Sequence, residues 1–292
     1  MNVIERFRTV ILHQIPLTRV RLFFARILYS ILHRIIRKDV HLIRRKGVLY
    51  EVDLSEGIDL SLFLFGNFQN YITDSKLVSI PADAQIFDIG ANIGSMALRF
   101  AQLTPQGHVY AFEPTPYAFD KLVRNISLNP QLAQRITPVQ LFVSDQNRKD
   151  PQIKAYASWK VDGCAADKHP VHGGIIKPAE SVAAITLDDF CFKNEIQKID
   201  LIKIDTDGHE FQALAGARNA IEKYLPDIIF EVGGYVMQEH FIDFDQYMKY
   251  FGSLGYTLWN LKTRKEIIPG NYATQIPSRS TTDIIAKPGT TV

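Results

Sequence analysis

Ile86-Phe87-Asp88-Ile89-Gly90-Ala91-Asn92-Ile93-Gly94 is the stretch from which the fold of this chain can be read. A mostly apolar run of strand length breaks at two glycines four positions apart, and Ser95–Leu103 then continues as a helix. Strand, glycine turn and helix in that order open a βαβ unit. Working outward, Val109–Phe112 reads as the next strand, followed by a helix from Pro116 to Leu128 and a third strand over Val139–Val143. Leu201–Ile204 and Ile228–Val232 supply two more strands, separated by a helix over His209–Tyr224. Thr257–Leu261 and Thr282–Ala286 close the pattern as an antiparallel end. Short apolar strands alternating with amphipathic helices predict a parallel sheet covered on both faces. Upstream, His41–Arg44 and Val48–Val52 read as short strands with a turn at Ser55–Gly57.

The residues at the strand ends have the chemistry of a nucleoside site. Gly90 and Gly94 let the backbone pass close to a ligand, and the helix that follows offers free N–H groups suited to a carboxylate. Asp88 is placed to accept from an ammonium group. Glu113 ends the second strand, where an acid can accept both hydroxyls of a ribose. A nucleoside carrying an amino-acid end fits this set. A dinucleotide fits poorly, because the G-x-G-x-x-G pattern is absent: positions 88, 90 and 93 are Asp, Gly and Ile.

IFDIGANIGSMAL, VYAFEPTPYAFDKLVRNI, FVSD, ITLDDF and DLIKIDTDGHEFQALAGA, in this order and spacing, resemble the FkbM-type methyltransferases, as do the lead-in GIDLSLFLFGNFQ and the closing DIIAKP. The resemblance covers residues 45–288 and implies S-adenosylmethionine as methyl donor and a hydroxyl of a sugar, polyketide or related metabolite as acceptor. It implies that Asp88, Gly90, Asn92 and Gly94 line the methionine end, that Glu113 holds the ribose, that Ser144 and Asp145 flank the adenine, and that Asp205 faces the methyl-transfer region. Two positions depart from the pattern: Gln69 stands where a glutamate is common, and His209 where alanine or an aromatic residue is common. The expected fold is α/β, a Rossmann-like class I methyltransferase with a mostly parallel seven-stranded sheet and helices on both faces. A basic amphipathic helical extension over 1–40 precedes one catalytic domain over 41–292.

An alcohol acceptor benefits from a base that removes its proton during attack. Asp205, His209, Glu210 and Glu231 are the catalytic candidates, all near strand ends on the cofactor side. Histidine titrates in the useful range, while a glutamate in a first helical turn also complements the helix dipole. Two acids at adjacent strand ends, Asp205 and Glu231, could share a divalent cation, yet such pairs are common without one, so no metal is expected. Between Asp145 and Ile185 the strand–helix rhythm lapses. The insertion 146–184, with His169 and His172 flanking Pro170, is a candidate substrate lid or a surface loop.

Of the 292 residues, 46% are hydrophobic, enough for one sizeable core. Cys164 and Cys191 form neither a metal-type nor a disulfide-framework spacing and read as packing residues of a reducing compartment. The net charge of +2 hides an uneven distribution: residues 1–50 hold eleven Lys/Arg against Glu5 and Asp39. Over residues 17–38, Arg19, Arg26, Ser30, His33 and Arg37 share one helical face, and Leu17, Phe24, Ile27, Leu28, Ile31 and Ile35 the other. Such a helix either lies on an anionic membrane or packs against protein, its own domain or a second copy in a homo-oligomer. No convincing cleavable signal and no apolar stretch of spanning length occurs, so the expected location is cytoplasmic, with peripheral attachment at the inner face of the membrane as the alternative to packing of the helix on protein. The expected acceptor is a glycan, a lipid-linked saccharide or another small molecule. No nucleic-acid partner is expected, and a nucleic-acid methyltransferase ranks below the other readings, because the acidic body lacks an interleaved basic and aromatic stripe. The competing class is a non-catalytic S-adenosylmethionine-binding protein tethered by its basic helix.

Overall fold

The computed structural model describes residues 29–30, 33–34, 38–66, 69–149, 154–157, 175–178, 182–277 and 280–289. The helix expected over 17–38 lies outside the described residues, apart from Lys38 and the helical pairs Tyr29–Ser30 and His33–Arg34. His169, His172 and Cys164 lie outside them too. The chain divides into two compact units, residues 1–68 with 156–176 and residues 69–155 with 177–292.

In the first unit, strands β1 (Val40–Arg45) and β2 (Val48–Asp53) form an antiparallel hairpin. Its two turn residues, Lys46 and Gly47, have φ of 46° and 85°, the left-handed pair that matches the twist of a two-residue hairpin. Val48, Tyr50 and Val52 are buried, with Leu49, Glu51 and Asp53 alternating outward. Asp53 then accepts from the backbone N–H and hydroxyl of Ser55, at 2.9 and 2.7 Å, which turns the chain into helix α1 (Gly57–Phe65). The Arg45 guanidinium donates to the Leu62 carbonyl at 3.1 Å and ties the hairpin to the end of that helix.

The second unit opens with the one-turn helix α2 (Asn70–Thr73). Strand β3 (Gln85–Ile89), helix α3 (Ser95–Leu103), strand β4 (His108–Phe112), helices α4 (Pro116–Ser127) and α5 (Pro130–Ala133), and strand β5 (Ile136–Val139) follow. Strand β6 (Phe142–Val143) then leaves the main sheet to pair with β9 (Ala184–Ile185), so the third expected strand is two short ones. Inside the 146–184 interval, β7 (Lys154–Ala157) and β8 (Ile175–Pro178) form a two-stranded ribbon, of which residues 156–157 and 175–176 count with the first unit. After helix α6 (Leu187–Lys193) come β10 (Leu201–Ile204), α7 (Glu210–Ala215), α8 (Arg218–Tyr224) and β11 (Asp227–Val232). The last stretch holds α9 (Gly234–Glu239), α10 (Phe244–Ser253), β12 (Tyr256–Asn260), β13 (Glu266–Ile267), α11 (Tyr272–Gln275) and β14 (Thr282–Pro288).

The sheet order is β13-β12-β14-β11-β10-β3-β4-β5. The five strands from β11 to β5 are parallel, while β14 runs antiparallel between β11 and β12, as the closing pattern predicts. The two-residue β13 adds an eighth strand at the edge. Phe87 and Ile89 face the core shared with Phe190, Leu214, Ile221 and Phe251. Phe230 stacks between Tyr247 and Phe251 with ring centroids 5.3 and 5.2 Å away. Each fully buried large apolar side chain here contributes about 1.5–3 kcal/mol. The helix expected over 209–224 is broken in two at Gly216, where a Cβ would stand 1.9 Å from the Ser144 carbonyl oxygen. That close approach is a tertiary demand, invisible to local periodicity.

Candidate active site

The site begins at the switch point between β3 and β10, where strand order reverses and open α/β sheets bind ligands. The turn from β3 into α3 is left-handed at three residues: Gly90 (φ 85°), Asn92 (49°) and Gly94 (86°). The glycines answer to the fold itself. A Cβ on Gly90 would lie 1.9 Å from the Asp205 carbonyl oxygen, and one on Gly94 would lie 2.7 Å from Leu122 Cδ1. Backbone N–H groups of Gly90 and Ala91 both donate to the Phe112 carbonyl, at 2.9 and 2.8 Å, which fixes the turn over the end of β4.

Glu113, one residue beyond β4, completes that clasp. Its Oε2 accepts from the Asn92 N–H at 3.0 Å, and its Oε1 from the Thr115 N–H and hydroxyl at 2.9 and 2.5 Å. Burial raises its carboxyl above the ordinary value, and the donors of Thr115 and Asn92 pull the other way.

Asp88 is the opposite case. It is fully buried, and neither carboxylate oxygen has a hydrogen-bond partner. Its cross-strand neighbour in register is Lys203, whose Nζ stands 3.7 Å from Asp88 Oδ1 and 3.1 Å from Asp205 Oδ2. Burial raises the Asp88 carboxyl and Asp205 pushes the same way, opposed chiefly by the Lys203 ammonium and to a lesser degree by the Ala97 N–H of α3. For Lys203 burial works against the charge, but Asp205 and Asp88 outweigh it and hold the ammonium above the usual lysine range. Asp205, one-fifth exposed, also accepts from Gln69 Nε2 at 2.8 Å. There burial is overcome by Lys203 and Gln69, and the carboxyl sits below its ordinary value.

The register carries this polar seam onward. Lys203 pairs with Ile229, so Glu231 two residues on lies on the same face, and Glu231 pairs in turn with Asp283 of β14. Glu231 Oε1 accepts from the Thr281 hydroxyl at 2.6 Å, and buried Asp283 accepts a short hydrogen bond from the Tyr71 hydroxyl. Burial raises the Glu231 carboxyl well above its ordinary value, with Asp205 and Asp283 pushing the same way. Burial raises Asp283 as well, against the Tyr71 bond.

Glu210 faces its own turn. Oε1 accepts from the Thr206 and Gly208 N–H groups at 2.9 and 3.1 Å and from the Thr206 hydroxyl at 3.2 Å. His209, beside it, packs edge-on against Phe142 and His240 at 5.2 and 4.8 Å between ring centroids. Ser144 N–H donates to the Ile185 carbonyl at 2.9 Å and its hydroxyl to Asp145 Oδ1 at 3.1 Å. Thus Asp88, Asp205 and Glu231 fall along one seam, while Ser144 and Asp145 make their contacts with β9 and the α7–α8 break. Sequence reasoning missed Lys203, Asp283 and Tyr71. A lysine inside the apolar strand Leu201–Ile204 was a visible signal; Tyr71 and Asp283, which meet across 212 positions, gave none.

A switch-point turn flanked by a strand-end acid, beneath five parallel strands with an antiparallel strand inserted beside them, defines the Rossmann-like methyltransferase fold. The family model described as the methyltransferase FkbM domain matches residues 88–258, and the chain belongs to that family. Among its relatives, the 2-O-methyltransferase NoeI of Sinorhizobium fredii is 32% identical over 155 residues, covering 48% of this chain and 60% of that protein. The hexuronic acid methyltransferase AglP of Haloferax volcanii is 26% identical over 140 residues, 48% of this chain and 52% of that protein. The matches thus span little more than half the length of these relatives. Among solved structures, the methyltransferase FkbM from Methylobacillus flagellatus KT aligns with 18% identity and a TM-score of 0.46, over 78% of this chain and 52% of that one.

Proposed function

We propose that this chain transfers a methyl group from S-adenosylmethionine to a hydroxyl of a sugar-containing acceptor or another hydroxylated metabolite. The observation that carries the reading is Asp88, a buried carboxylate with two unpartnered oxygens beside a left-handed turn. A buried acceptor with no donor is costly unless a ligand supplies one. The ammonium of a methionine moiety has the charge and the protons to do so. Glu113 fits the ribose: its carboxylate sits at a strand end and can exchange its bonds to Asn92 and Thr115 for hydroxyl donors. Ser144 and Asp145 are assigned to the adenine by motif. Family membership and two relatives named for methylating activity support the same reading.

S-adenosylmethionine, when bound, supplies a methyl group already activated by its sulfonium. The chain therefore has to orient the acceptor, exclude water and take one proton. Glu231 is the residue assigned to that proton, because its carboxyl is raised towards the working range of a general base. Asp205 is held as an anion by Lys203 and Gln69, which suits it to face positive charge rather than to gain a proton. Glu210 shapes the β10–α7 turn and His209 packs beside it against Phe142 and His240; both are assigned positioning roles. The basic helix read over 17–38 rests on sequence alone, and we assign it to anionic membrane at the cytoplasmic face. Flotation with liposomes that is indifferent to lipid charge would remove that assignment.

The test is incubation with methyl-labelled S-adenosylmethionine and saccharide acceptors, neutral and uronic. Label entering saccharide, lost in Glu231→Gln, is the expected result. Cofactor binding without turnover on any hydroxylated acceptor would overturn the transferase reading.

A further inference from the structure

Two carboxylates, fully buried Asp88 on β3 and part-buried Asp205 at the end of β10, lean on one buried ammonium, and they lean unequally. Lys203 is 2% exposed. It donates to Asp205 Oδ2 at 3.1 Å, but its 3.7 Å separation from Asp88 Oδ1 is beyond hydrogen-bonding reach. Asp88 thus receives the charge of Lys203 without a bond from it, and both its oxygens keep their accepting capacity. A buried carboxylate with no cation nearby takes up a proton, and a protonated Asp88 would no longer attract an ammonium. A carboxylate bonded directly to its cation would stay charged but have less capacity to accept.

We propose that Lys203 is a positioning residue for cofactor binding: it keeps Asp88 ionised from a distance, so that both oxygens stay open to the ammonium of S-adenosylmethionine, while its hydrogen bond anchors Asp205 as an anion. This rests on the assignment of that cofactor above. Other titratable groups face the pair from neighbouring elements: Glu113 after β4, Asp207 and Glu210 in the β10–α7 turn, Glu231 on β11 and Asp283 on β14. Of the acids around the pair, Asp205 and Glu113 bear on Asp88 itself, so removing Lys203 favours its protonation.

Binding of S-adenosylhomocysteine, measured by calorimetry in buffers of different ionisation enthalpy, reads this directly. In the wild type, affinity should be flat from about pH 6 to about pH 8, with no proton exchanged. In Lys203→Met, Asp88 must lose a proton to bind, so affinity should rise with pH by up to about tenfold per unit, with up to one proton released. Lys203→Arg should restore the flat profile. If Lys203→Met does not fold, the charge-balanced pair Lys203→Met with Asp205→Asn carries the same expectation of proton release. Equal loss of affinity at every pH without proton release, in whichever variant folds, would make Lys203 merely structural and overturn the proposal. Failure of the wild type to bind S-adenosylhomocysteine overturns the cofactor assignment, and this inference with it.

Discussion

The turn from β3 into α3 and the turn from β10 into α7 leave adjacent parallel strands side by side, yet they spend their acids in opposite ways. Both need left-handed residues: Gly90, Asn92 and Gly94 in the first, Asp207 and Gly208 in the second. The second is stitched from within, because Glu210 of its own helix accepts from Thr206 and Gly208. The first is held from outside, by Glu113 on the Asn92 N–H, and the acid in its own strand, Asp88, is left without a bond. At these two turns the acid that the fold satisfies, Glu210, shapes a loop, and the buried acid that it leaves unsatisfied, Asp88, is open to a donor the fold does not contain.

The largest effect that would probe this contrast is expected from Gly90→Ala. With φ at 85° and the Asp205 carbonyl 1.9 Å from the added Cβ, the two turns would be forced apart. A loss of about 3 kcal/mol or more is expected in denaturant unfolding, and near-wild-type stability would show that the turns are not locked together. Next in size, Glu231→Gln should lower kcat by roughly 10²–10⁴-fold while leaving cofactor affinity unchanged. Asp88→Asn should weaken cofactor binding by about 1.5–3 kcal/mol with a smaller change in stability, since Lys203 keeps its hydrogen-bonded partner Asp205. Glu210→Gln should do the reverse, costing about 1 kcal/mol of stability with little effect on cofactor affinity in calorimetry. If both variants changed stability and affinity alike, the division between a saturated and an unsaturated acid would fail.

The pH response sharpens the same point. Burial raises the folded carboxyl of Glu231 well above 4.5, so the folded state holds that proton more tightly than the unfolded chain. Its contribution to stability is present below the unfolded value and is lost as pH rises through the folded one. The rate runs the other way, rising with pH as Glu231 becomes a base. A pH–rate profile with its acidic limb near 4.5, or one unaltered in Glu231→Gln, would assign the proton to another group.

What could be read in the sequence was what local chemistry dictates. The turn from Gly90 to Gly94 and the start of α3 at Ser95 are written in residues that tolerate left-handed φ and in the apolar spacing that follows. Glu113 was legible because it ends an apolar strand. The split of the 209–224 helix was not, because Gly216 answers to the Ser144 carbonyl, a partner more than seventy positions away. Lys203 stood in plain view within Leu201–Ile204, but its meaning depends on Asp88 being its neighbour in register, which only sheet order supplies. Tyr71 and Asp283 needed the fold itself, one from a one-turn helix ahead of the sheet and the other from β14.

The place of β14 also bears on how the molecule is made. It is synthesised after β12 and β13, yet its seat lies between β11 and β12, so Val232 must wait for Thr282 before that edge of the parallel sheet is closed. Until then a nascent chain carries a bare strand edge beside the candidate site, the condition in which unfinished sheets pair with the wrong partner. Asp283 rides on that late strand, so this carboxylate of the seam takes its place only after the residues of β12 and β13 have been made.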